Sequence, residues 1–278
     1  MLLDLSKAFD SINHEKLLEK LSAIGAPPST VKWFRSYLSN RCQYVRTNST
    51  NSDSVPVTHG VPTRCNSVAI ILFCIYFSDL PLTTTSCQIE SYVDDSKLFL
   101  SFQVSDIDQS ILKLEQDLLR TAQWLCENHL LINPDKTKFL LLGTRQMLSR
   151  LSEGLNMSFL GEKLKPSKSA KDLGVLLDPY LTYDHHITSI VSSCFSNLSQ
   201  INRVKKSFDK ETLQLLIESV VFSKMLYCSS VWSNTTAQNI NKIQSIQNFA
   251  CKIITNSKKS DHVTPLLRHL NWLPVREQ

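Results

Sequence analysis

The sequence of 278 residues has no long hydrophobic run, no Cys-x-x-Cys pair and no repeated or low-complexity segment. Its longest apolar stretch, 68–77, is ten residues long, which is too short to cross a bilayer and is typical of a core helix. The first residues, Met1 to Asp4, contain neither a basic nor an apolar leader region. We therefore expect an intracellular protein, nuclear or cytoplasmic, that is neither secreted nor bound in a membrane.

Eight cysteines are spread through the chain, and several of them, such as Cys74, lie inside apolar segments. Their spacing fits neither a zinc site nor a disulfide framework. We expect them to be buried free thiols without a disulfide partner.

The chain has enough apolar sequence for a core, and its charge is unevenly distributed. Hydrophobic residues make up 42% and charged residues 20%, as in globular domains. Residues 1–195 carry 19 Lys/Arg and 20 Asp/Glu, whereas residues 196–278 carry 11 Lys/Arg and 5 Asp/Glu. The excess of basic residues that gives the net charge of +5 therefore lies in the last third of the chain. A basic end fits contact with a polyanion. An ordinary lysine-rich helical surface is an equally good interpretation.

Hydrophobic spacing predicts mixed helices and strands up to about residue 180 and helices beyond it. The predicted helices are 13–24, 29–38, 67–78, one from 107, 184–206, 210–227 and 238–255. The predicted strands are 1–5, 43–48, 54–59, 88–92, 97–102, 137–142, 156–160 and 172–177. A turn is predicted at 133–136. Ser29 and the segment 105–108 are predicted helix caps. We predict an α+β fold with one domain at 1–180 and a helical domain at 181–278.

Acidic residues stand at the ends of two apolar, strand-like segments. Asp4 follows Leu2-Leu3, and Asp94-Asp95 lies in a predicted hairpin turn after Val93. An isolated Asp pair in a turn is most often structural, because Asp tolerates the bend. Acidic groups at the ends of buried strands are costly, however, unless a cation compensates them. Three such carboxylates can hold two divalent cations about 3.5–4 Å apart, the arrangement used for displacement at phosphorus.

Five ordered motifs and a tail segment resemble those of reverse transcriptases, most closely those of non-LTR (LINE-type) retrotransposons. The segments 3–10 and 92–95 resemble the first and third palm motifs, and Gly60-Val61-Pro62 resembles the template grip. The resemblance continues through 131–138 (the next palm motif), 173–178 (the strand leading into the primer grip) and the tail 264–276. It covers nearly the whole chain and implies a polymerase palm, an antiparallel sheet with packed helices, followed by a helical thumb-like region.

The resemblance implies RNA-directed DNA polymerase chemistry on an RNA template, a DNA primer and deoxynucleoside triphosphates (dNTPs). Asp4, Asp94, Asp95 and the Leu5 carbonyl would hold two Mg²⁺ ions, with Mn²⁺ as an alternative. Lys136 would donate a proton to the departing pyrophosphate, although a solvated turn lysine is an equally good interpretation.

The resemblance also implies contacts to the nucleic acids. Phe9 would pack under the incoming sugar and Tyr92 beneath the primer end, although either ring could instead fill the core. Gly60, Val61 and Pro62 would grip the template. Basic residues of the last third would follow the template–primer backbone, namely Arg203, Lys205, Lys206, Lys252, Lys258 and Lys259.

Two departures from the family pattern lower the expected activity. Thr63-Arg64-Cys65-Asn66 stands where the family has Gln-Gly-Ser, which puts bulk where backbone should approach the template. The chain also begins at the first carboxylate motif, without the fingers whose cations contact the triphosphate. We therefore expect a fragment that is weak or inactive alone. One alternative is a non-catalytic nucleic-acid-binding or interaction protein with the palm fold. Another is a metal-dependent nuclease or phosphatase, which the lack of nearby His or Glu clusters disfavours.

Overall fold

The computed structural model describes residues 1–48, 50–62, 66–151 and 155–277. The chain forms two compact units, Met1–Ser167 (unit 1) and Lys168–Gln278 (unit 2). Helices and small antiparallel sheets occur together, so the predicted α+β class is confirmed. In the described ranges, no helix combines the length and the apolar character that a membrane span needs.

Unit 1 combines short strands with helices. In its described residues the α-helices are α1 (His14–Ala23), α2 (Pro28–Leu38), α3 (Asn66–Phe77), α4 (Ile107–Glu127) and α5 (Arg145–Leu148). The strands are β1 (Leu2–Leu3), β2 (Leu5–Ser6), β3 (Arg41–Gln43), β4 (Arg46–Thr47), β5 (Thr50–Asn51), β6 (Val55–Val57), β7 (Gln88–Tyr92), β8 (Asp95–Phe99), β9 (Leu131–Ile132), β10 (Met157–Phe159) and β11 (Glu162–Leu164). The four helices predicted for this region are confirmed within a few residues.

Several local predictions for unit 1 are wrong. Pro27 is the N-cap of α2 and Pro28 opens the helix, where a missing N–H does no harm, so Ser29 is not the cap. The segment 105–108 forms no capping box, since the side chain of the α4 N-cap, Asp106, accepts no cap hydrogen bond. The segment 137–142 is not a strand, because its described backbone pairs through an isolated bridge at Lys138.

The extended segment Leu2–Ser6, which contains β1 and β2, links two of the small sheets of unit 1. β1 pairs antiparallel with β8, which pairs with β7, and β2 pairs antiparallel with β9. Because side chains alternate along a strand, Leu3 and Leu5 are buried and Asp4 points to the opposite face. Leu3 packs in one hydrophobic cluster and Leu5 in another, so this strand joins the two cores of the unit.

Unit 2 is a hairpin followed by packed helices. Its strands are β12 (Ala170–Asp172) and β13 (Val175–Leu177), and in its described residues the α-helices are α6 (Asp184–Val204), α7 (Lys210–Ile217), α8 (Ser223–Met225), α9 (Ser229–Trp232), α10 (Ala237–Thr255) and α11 (Val263–His269). A π-helical segment, Glu218–Phe222, joins α7 to α8. The predicted strand 172–177 is a hairpin, since Leu173 and Gly174 have φ of 43° and 89°, as a two-residue type I′ turn requires.

The cysteines are less buried than expected. The seven described cysteines are free thiols, and Cys42, Cys74 and Cys126 are exposed. Cys74 lies in α3, which is apolar on nearly all of its faces, so an apolar sequence around a residue does not establish that it is buried.

A buried carboxylate connects α4 to the start of β7. Asp117 is fully buried and accepts hydrogen bonds from the backbone N–H groups of Thr85 (3.0 Å), Ser86 (2.8 Å) and Cys87 (2.6 Å), and from Arg120. Burial alone raises the pKa of Asp117, but the hydrogen bonds from Arg120 and from the three N–H groups outweigh it, so the pKa lies well below its usual range. The ionised side chain therefore stabilises the loop that leads into β7.

Replacing Asp117 by Ala should lower the free energy of unfolding by about 2–4 kcal/mol, because buried N–H groups and Arg120 lose their acceptor. Since the folded-state pKa is depressed, this stabilisation is present above about pH 4 and is lost as the pH falls through the folded-state pKa. Urea unfolding at neutral and acidic pH measures both effects. Asp108→Ala, at an exposed position of the same helix, should cost at most about 1 kcal/mol. Equal losses for the two variants would contradict this role of Asp117.

Candidate active site

The pairing of β1 with β8 brings the first predicted carboxylate beside the hairpin that carries the other two. Leu2 is paired with Lys97 and Leu3 with Ser96, so continuing the register by one residue sets Asp4 opposite Asp95. Facing residues of an antiparallel pair point to the same side, with their Cα atoms about 4.5–5.5 Å apart. Asp4 and Asp95 therefore share the sheet face opposite to the buried residues Leu3 and Ser96.

The turn between β7 and β8 consists of Val93 and Asp94, and Tyr92 pairs with Asp95 across it. The predicted hairpin is thus confirmed, but its turn lies one residue earlier than predicted, because Asp95 is already the first residue of β8. Val93 has a φ of +58°, which for a β-branched residue costs of order 1–3 kcal/mol. Such a conformation persists only when the flanking strands impose it, and here Leu98 anchors β8 in the core with no exposed surface. The strained tip fixes the position of Asp94.

One carboxylate oxygen of Asp4 is buried and accepts no hydrogen bond from the described part of the chain. Its Oδ1 atom is inaccessible to solvent, and none of the described residues donates a hydrogen bond to it. The Lys136 ammonium lies 3.4 Å from this oxygen, which is an ion-pair distance without hydrogen-bond geometry. The Asp4 side chain is 34% exposed. It is therefore a partly desolvated anion whose charge a cation would compensate.

Lys136 lies on a loop of additional residues beside Asp4. The segments Leu2–Leu5 and Ile132–Lys138 pair at both of their ends, Leu5 with Ile132 and Leu2 with Lys138. The first segment connects these two pairs in three residue steps and the second in six, so the second contains additional residues. The excess forms the turn Asn133–Thr137, which a backbone hydrogen bond of 3.1 Å closes. A second bond of 2.8 Å runs from the first N–H of this turn to the Asp4 carbonyl. The turn predicted here is confirmed, and it brings the lysine to the carboxylate.

The three carboxylates differ in exposure. Asp94, like Asp4, is half-buried, whereas Asp95 is exposed. In the part of the chain that the structure describes, no group of three or more His, Cys, Asp or Glu side chains could hold a metal ion by itself. Mg²⁺ is usually bound by one or two carboxylates together with water and substrate phosphates rather than by a closed protein cage. An open set of hard oxygen ligands around the Asp4 oxygen fits that mode.

The two aromatic candidates lie in different environments. Phe9 is half-buried and packs on Phe73 of α3, with ring centroids 4.7 Å apart. Tyr92, the last residue of β7, is 65% exposed. The alternative that its ring fills the core is therefore wrong. Leu5, the candidate carbonyl ligand, has a buried side chain and belongs to β2, which pairs with β9.

The Gly60–Pro62 segment packs directly on the chain that follows Asp4. The Gly60 N–H donates to the Ile12 carbonyl at 2.8 Å, and the Val61 N–H donates to the Phe9 carbonyl at 3.0 Å. A Cβ atom on Gly60, whose φ is +83°, would lie 2.9 Å from the Cα atom of Asp10. This contact requires glycine. Residues 63–65 of the altered template-grip motif, and the side chain that follows them, lie outside the described residues.

Sequence reasoning missed His14, whose Nε2 atom lies 2.7 Å from the Gly60 carbonyl oxygen. The neighbouring Asn13 forms a β-bridge with His59, so two successive residues hold the chain before Val61 against the start of α1. Nothing in the sequence around His14 signals this contact, because its partner is 46 residues away.

In unit 2, the predicted basic residues gather at the C-terminal ends of α6 and α10. Lys205 Nζ donates to the Asn256 side chain at 3.0 Å, which shows that the two helix ends meet. Lys252 Nζ donates to the Lys259 carbonyl at 2.6 Å. Cations are favourable at helix C-termini, so stability alone is a sufficient reason for part of this cluster, whose remaining members are Arg203, Lys206 and Lys258.

Comparison with known proteins identifies the class. Residues 1–177 match the family model described as reverse transcriptase (RNA-dependent DNA polymerase), and the chain therefore belongs to the reverse transcriptase family. Members of this family generally use divalent metal ions and act on nucleic-acid templates and primers with dNTPs.

Relatives among characterised proteins agree with this class. The chain is 27% identical to the probable RNA-directed DNA polymerase from transposon BS of Drosophila melanogaster, over 99% of its own length and 31% of the relative. It is 23% identical to the RNA-directed DNA polymerase from the mobile element jockey of the same species, over 88% of the chain and 27% of the relative. The resemblance to non-LTR retrotransposon enzymes is thus confirmed. The chain spans about a third of the length of these relatives.

Replacing Gly60 by Ala should displace the Gly60–Pro62 segment from Asp10. Gly25 provides a matched control, because its φ of +88° is nearly the same but a Cβ there meets nothing within 4 Å. Both variants carry backbone strain of about 1 kcal/mol, and Gly60→Ala adds a backbone clash worth roughly 1–3 kcal/mol more. Urea unfolding compares the two, and hydrogen exchange of the Val61 amide reports the displacement. Indistinguishable stabilities would disprove the close packing.

Proposed function

We propose that the chain carries the nucleotidyl-transfer centre of an RNA-directed DNA polymerase, formed by Asp4, Asp94 and Asp95. The observation that supports this most directly is the β1–β8 register, which brings the end of β1 beside the hairpin tip. The solvent-inaccessible Oδ1 atom of Asp4, which has no hydrogen-bond donor among the described residues, also supports it, since a partly buried anion needs compensation.

In this proposal the three carboxylates and the Leu5 carbonyl hold two divalent cations, Mg²⁺ by preference and Mn²⁺ as an alternative, because all of these ligands are hard oxygens. When bound, the cations activate the primer 3′-hydroxyl and stabilise charge on the departing pyrophosphate. The protein itself holds the acidic groups at two adjacent strand ends. Lys136, with its ammonium beside Asp4, would donate a proton to the leaving group.

The proposed substrates are an RNA template, a DNA primer and dNTPs. Phe9, fixed against Phe73, would exclude a 2′-hydroxyl from the sugar site, and the exposed Tyr92 would pack beneath the primer end. Gly60, Val61 and Pro62 would let the template backbone approach. We assign residues 1–180 to a palm and 181–278 to a thumb-like region whose basic helix ends follow the phosphates.

A second candidate function is nucleic-acid binding without catalysis. The basic ends of α6 and α10 favour it, because phosphate contacts there need none of the carboxylates. In this case RNA or DNA binding would be salt-dependent and unchanged in Asp94→Asn/Asp95→Asn, and primer extension would be absent from the native chain as well.

Asp4→Asn and Asp94→Asn/Asp95→Asn should each lower primer extension on an RNA template by at least about a hundredfold. Electron paramagnetic resonance titration with Mn²⁺ supplies a readout independent of activity, and both variants should lose the tight sites. Asp108→Asn, on the exposed surface of α4, should change neither primer extension nor Mn²⁺ binding. Full Mn²⁺ binding by the double variant would rule out the proposed site, whether or not the native chain extends a primer.

Lys136→Met should have opposite effects on metal binding and on extension. Removing the ammonium 3.4 Å from Asp4 takes away a competing cation, so Mn²⁺ affinity should rise about two- to fivefold, as expected for an exposed pair. Extension should fall by about a hundredfold if the lysine donates the proton. Lys138→Met, at a neighbouring exposed lysine, is the control. If Mn²⁺ affinity rises and extension is unchanged, Lys136 is a turn lysine without a catalytic role.

A further inference from the structure

A column of two aromatic rings and a guanidinium runs along α2 to the start of β3, and its Trp33 end is exposed. Trp33 stacks on Tyr37 with ring centroids 5.5 Å apart and planes inclined by 7°. The Arg41 guanidinium carbon lies 4.3 Å from the centroid of the Tyr37 ring. Trp33 and Tyr37 are four residues apart and lie on one stripe of α2, whereas Arg41 is the first residue of β3 and lies over the Tyr37 ring from beyond the end of the helix. We call Trp33, Tyr37 and Arg41 the aromatic column.

The column is anchored at one end and open at the other. Tyr37 packs against the core cluster around Leu38, and the Arg41 side chain donates a hydrogen bond to the Tyr37 carbonyl. Trp33 is 57% exposed, whereas the other tryptophans are buried or half-buried. An i, i+4 aromatic pair stabilises a helix by only about 0.2–0.5 kcal/mol, which is a weak reason to expose so large an apolar ring.

The chain segment that carries the column is basic. From 27 to 62 the sequence has four basic residues, Lys32, Arg35, Arg41 and Arg46, against the single acid Asp53. Arg35 is neutralised by Glu15 at 2.7 and 2.9 Å. Lys32 and Arg46 are exposed. The adjoining hairpin adds the exposed Tyr44, at 57%, between Arg41 and Arg46.

We propose that the aromatic column is a stacking platform for unpaired bases of a single-stranded nucleic acid, whose phosphates contact Lys32 and Arg46. The exposed Trp33 ring at the open end of the column, together with the exposed cations of the same segment, matches the two requirements of sequence-tolerant single-strand binding: a π-face on which a base can stack and cations for the backbone. A protein partner would use the apolar area of Trp33 but would not require its aromatic character.

The platform belongs to the same unit as the carboxylates. Its hairpin strand β6 leads directly into His59, which pairs with Asn13, and into Gly60, which packs on Asp10. The inference deepens the proposed polymerase function by naming where an unpaired strand is held. Binding can nevertheless be measured without metal or nucleotide, so that each proposal fails separately.

The test measures the anisotropy of a labelled oligothymidylate of about 20 nucleotides, longer than the roughly 4–16 nucleotides that one such surface usually covers. It uses the full chain in the Asp94→Asn/Asp95→Asn background without divalent metal. Trp33→Ala should raise the Kd about 5- to 100-fold, Trp33→Leu should raise it similarly, and Trp33→Phe should restore most of the affinity, since stacking needs an aromatic face. Leu112→Ala, at a 58% exposed position on α4, is the matched control.

An abasic oligodeoxynucleotide of the same length separates stacking from charge. It keeps the phosphates but has no bases, so it should bind more weakly and show no dependence on residue 33. Unchanged oligothymidylate affinity in Trp33→Ala, or native affinity in Trp33→Leu, would overturn the platform. An equal loss of affinity for the abasic strand in Trp33→Ala would also overturn the platform, because that loss would reflect disturbed folding or charge. None of these outcomes depends on primer extension.

Discussion

The pairing of the strand Leu2–Ser6 along both of its edges is the constraint on which unit 1 depends. One edge pairs with β8 and the other with the segment 131–138. Its leucines enter two different hydrophobic clusters, Leu3 beside Leu98 and Leu5 beside Phe73. A slip of one residue would turn both leucines outward and bury Asp4. The packing of two apolar side chains thus determines where the acidic group lies, and chemistry at Asp4 depends on an ordinary core.

Left-handed backbone conformations occur along the whole described chain, and two of them lie close in sequence to the candidate carboxylates. Val93 at the hairpin tip and Lys7, three residues after Asp4, both have positive φ, at 58° and 51°. Gly60 also has positive φ and is packed too closely for any side chain. The two non-glycine positions each cost about 1–3 kcal/mol, which the two cores must offset, whereas glycine adopts a positive φ without that cost.

Sequence reasoning succeeded where structure follows from apolar spacing or motif order. The helix α3 and the hairpin around Val93 are where these patterns predict them. It failed where a turn is hidden inside an apolar run: Leu173-Gly174 continues a strand pattern, yet both residues adopt the left-handed conformation. It could not find the contacts of His14 or Asp117, whose partners lie 46 and about 30 residues away. The spacing of Trp33 and Tyr37 is visible in the sequence, but their exposure is not.

The additional residues that carry Lys136 restrict how this region can change in length. Phe139 is buried at 5% exposure, next to the bridged residue Lys138. Side chains alternate between the two faces of an extended chain. Deleting one residue from the turn Asn133–Thr137 would therefore turn Lys138 toward the core and expel the Phe139 ring from it. Removing two residues would keep the alternation, but the shortened turn would no longer bring Lys136 as close to Asp4. Natural variants of this segment should therefore differ by substitution far more often than by insertion or deletion.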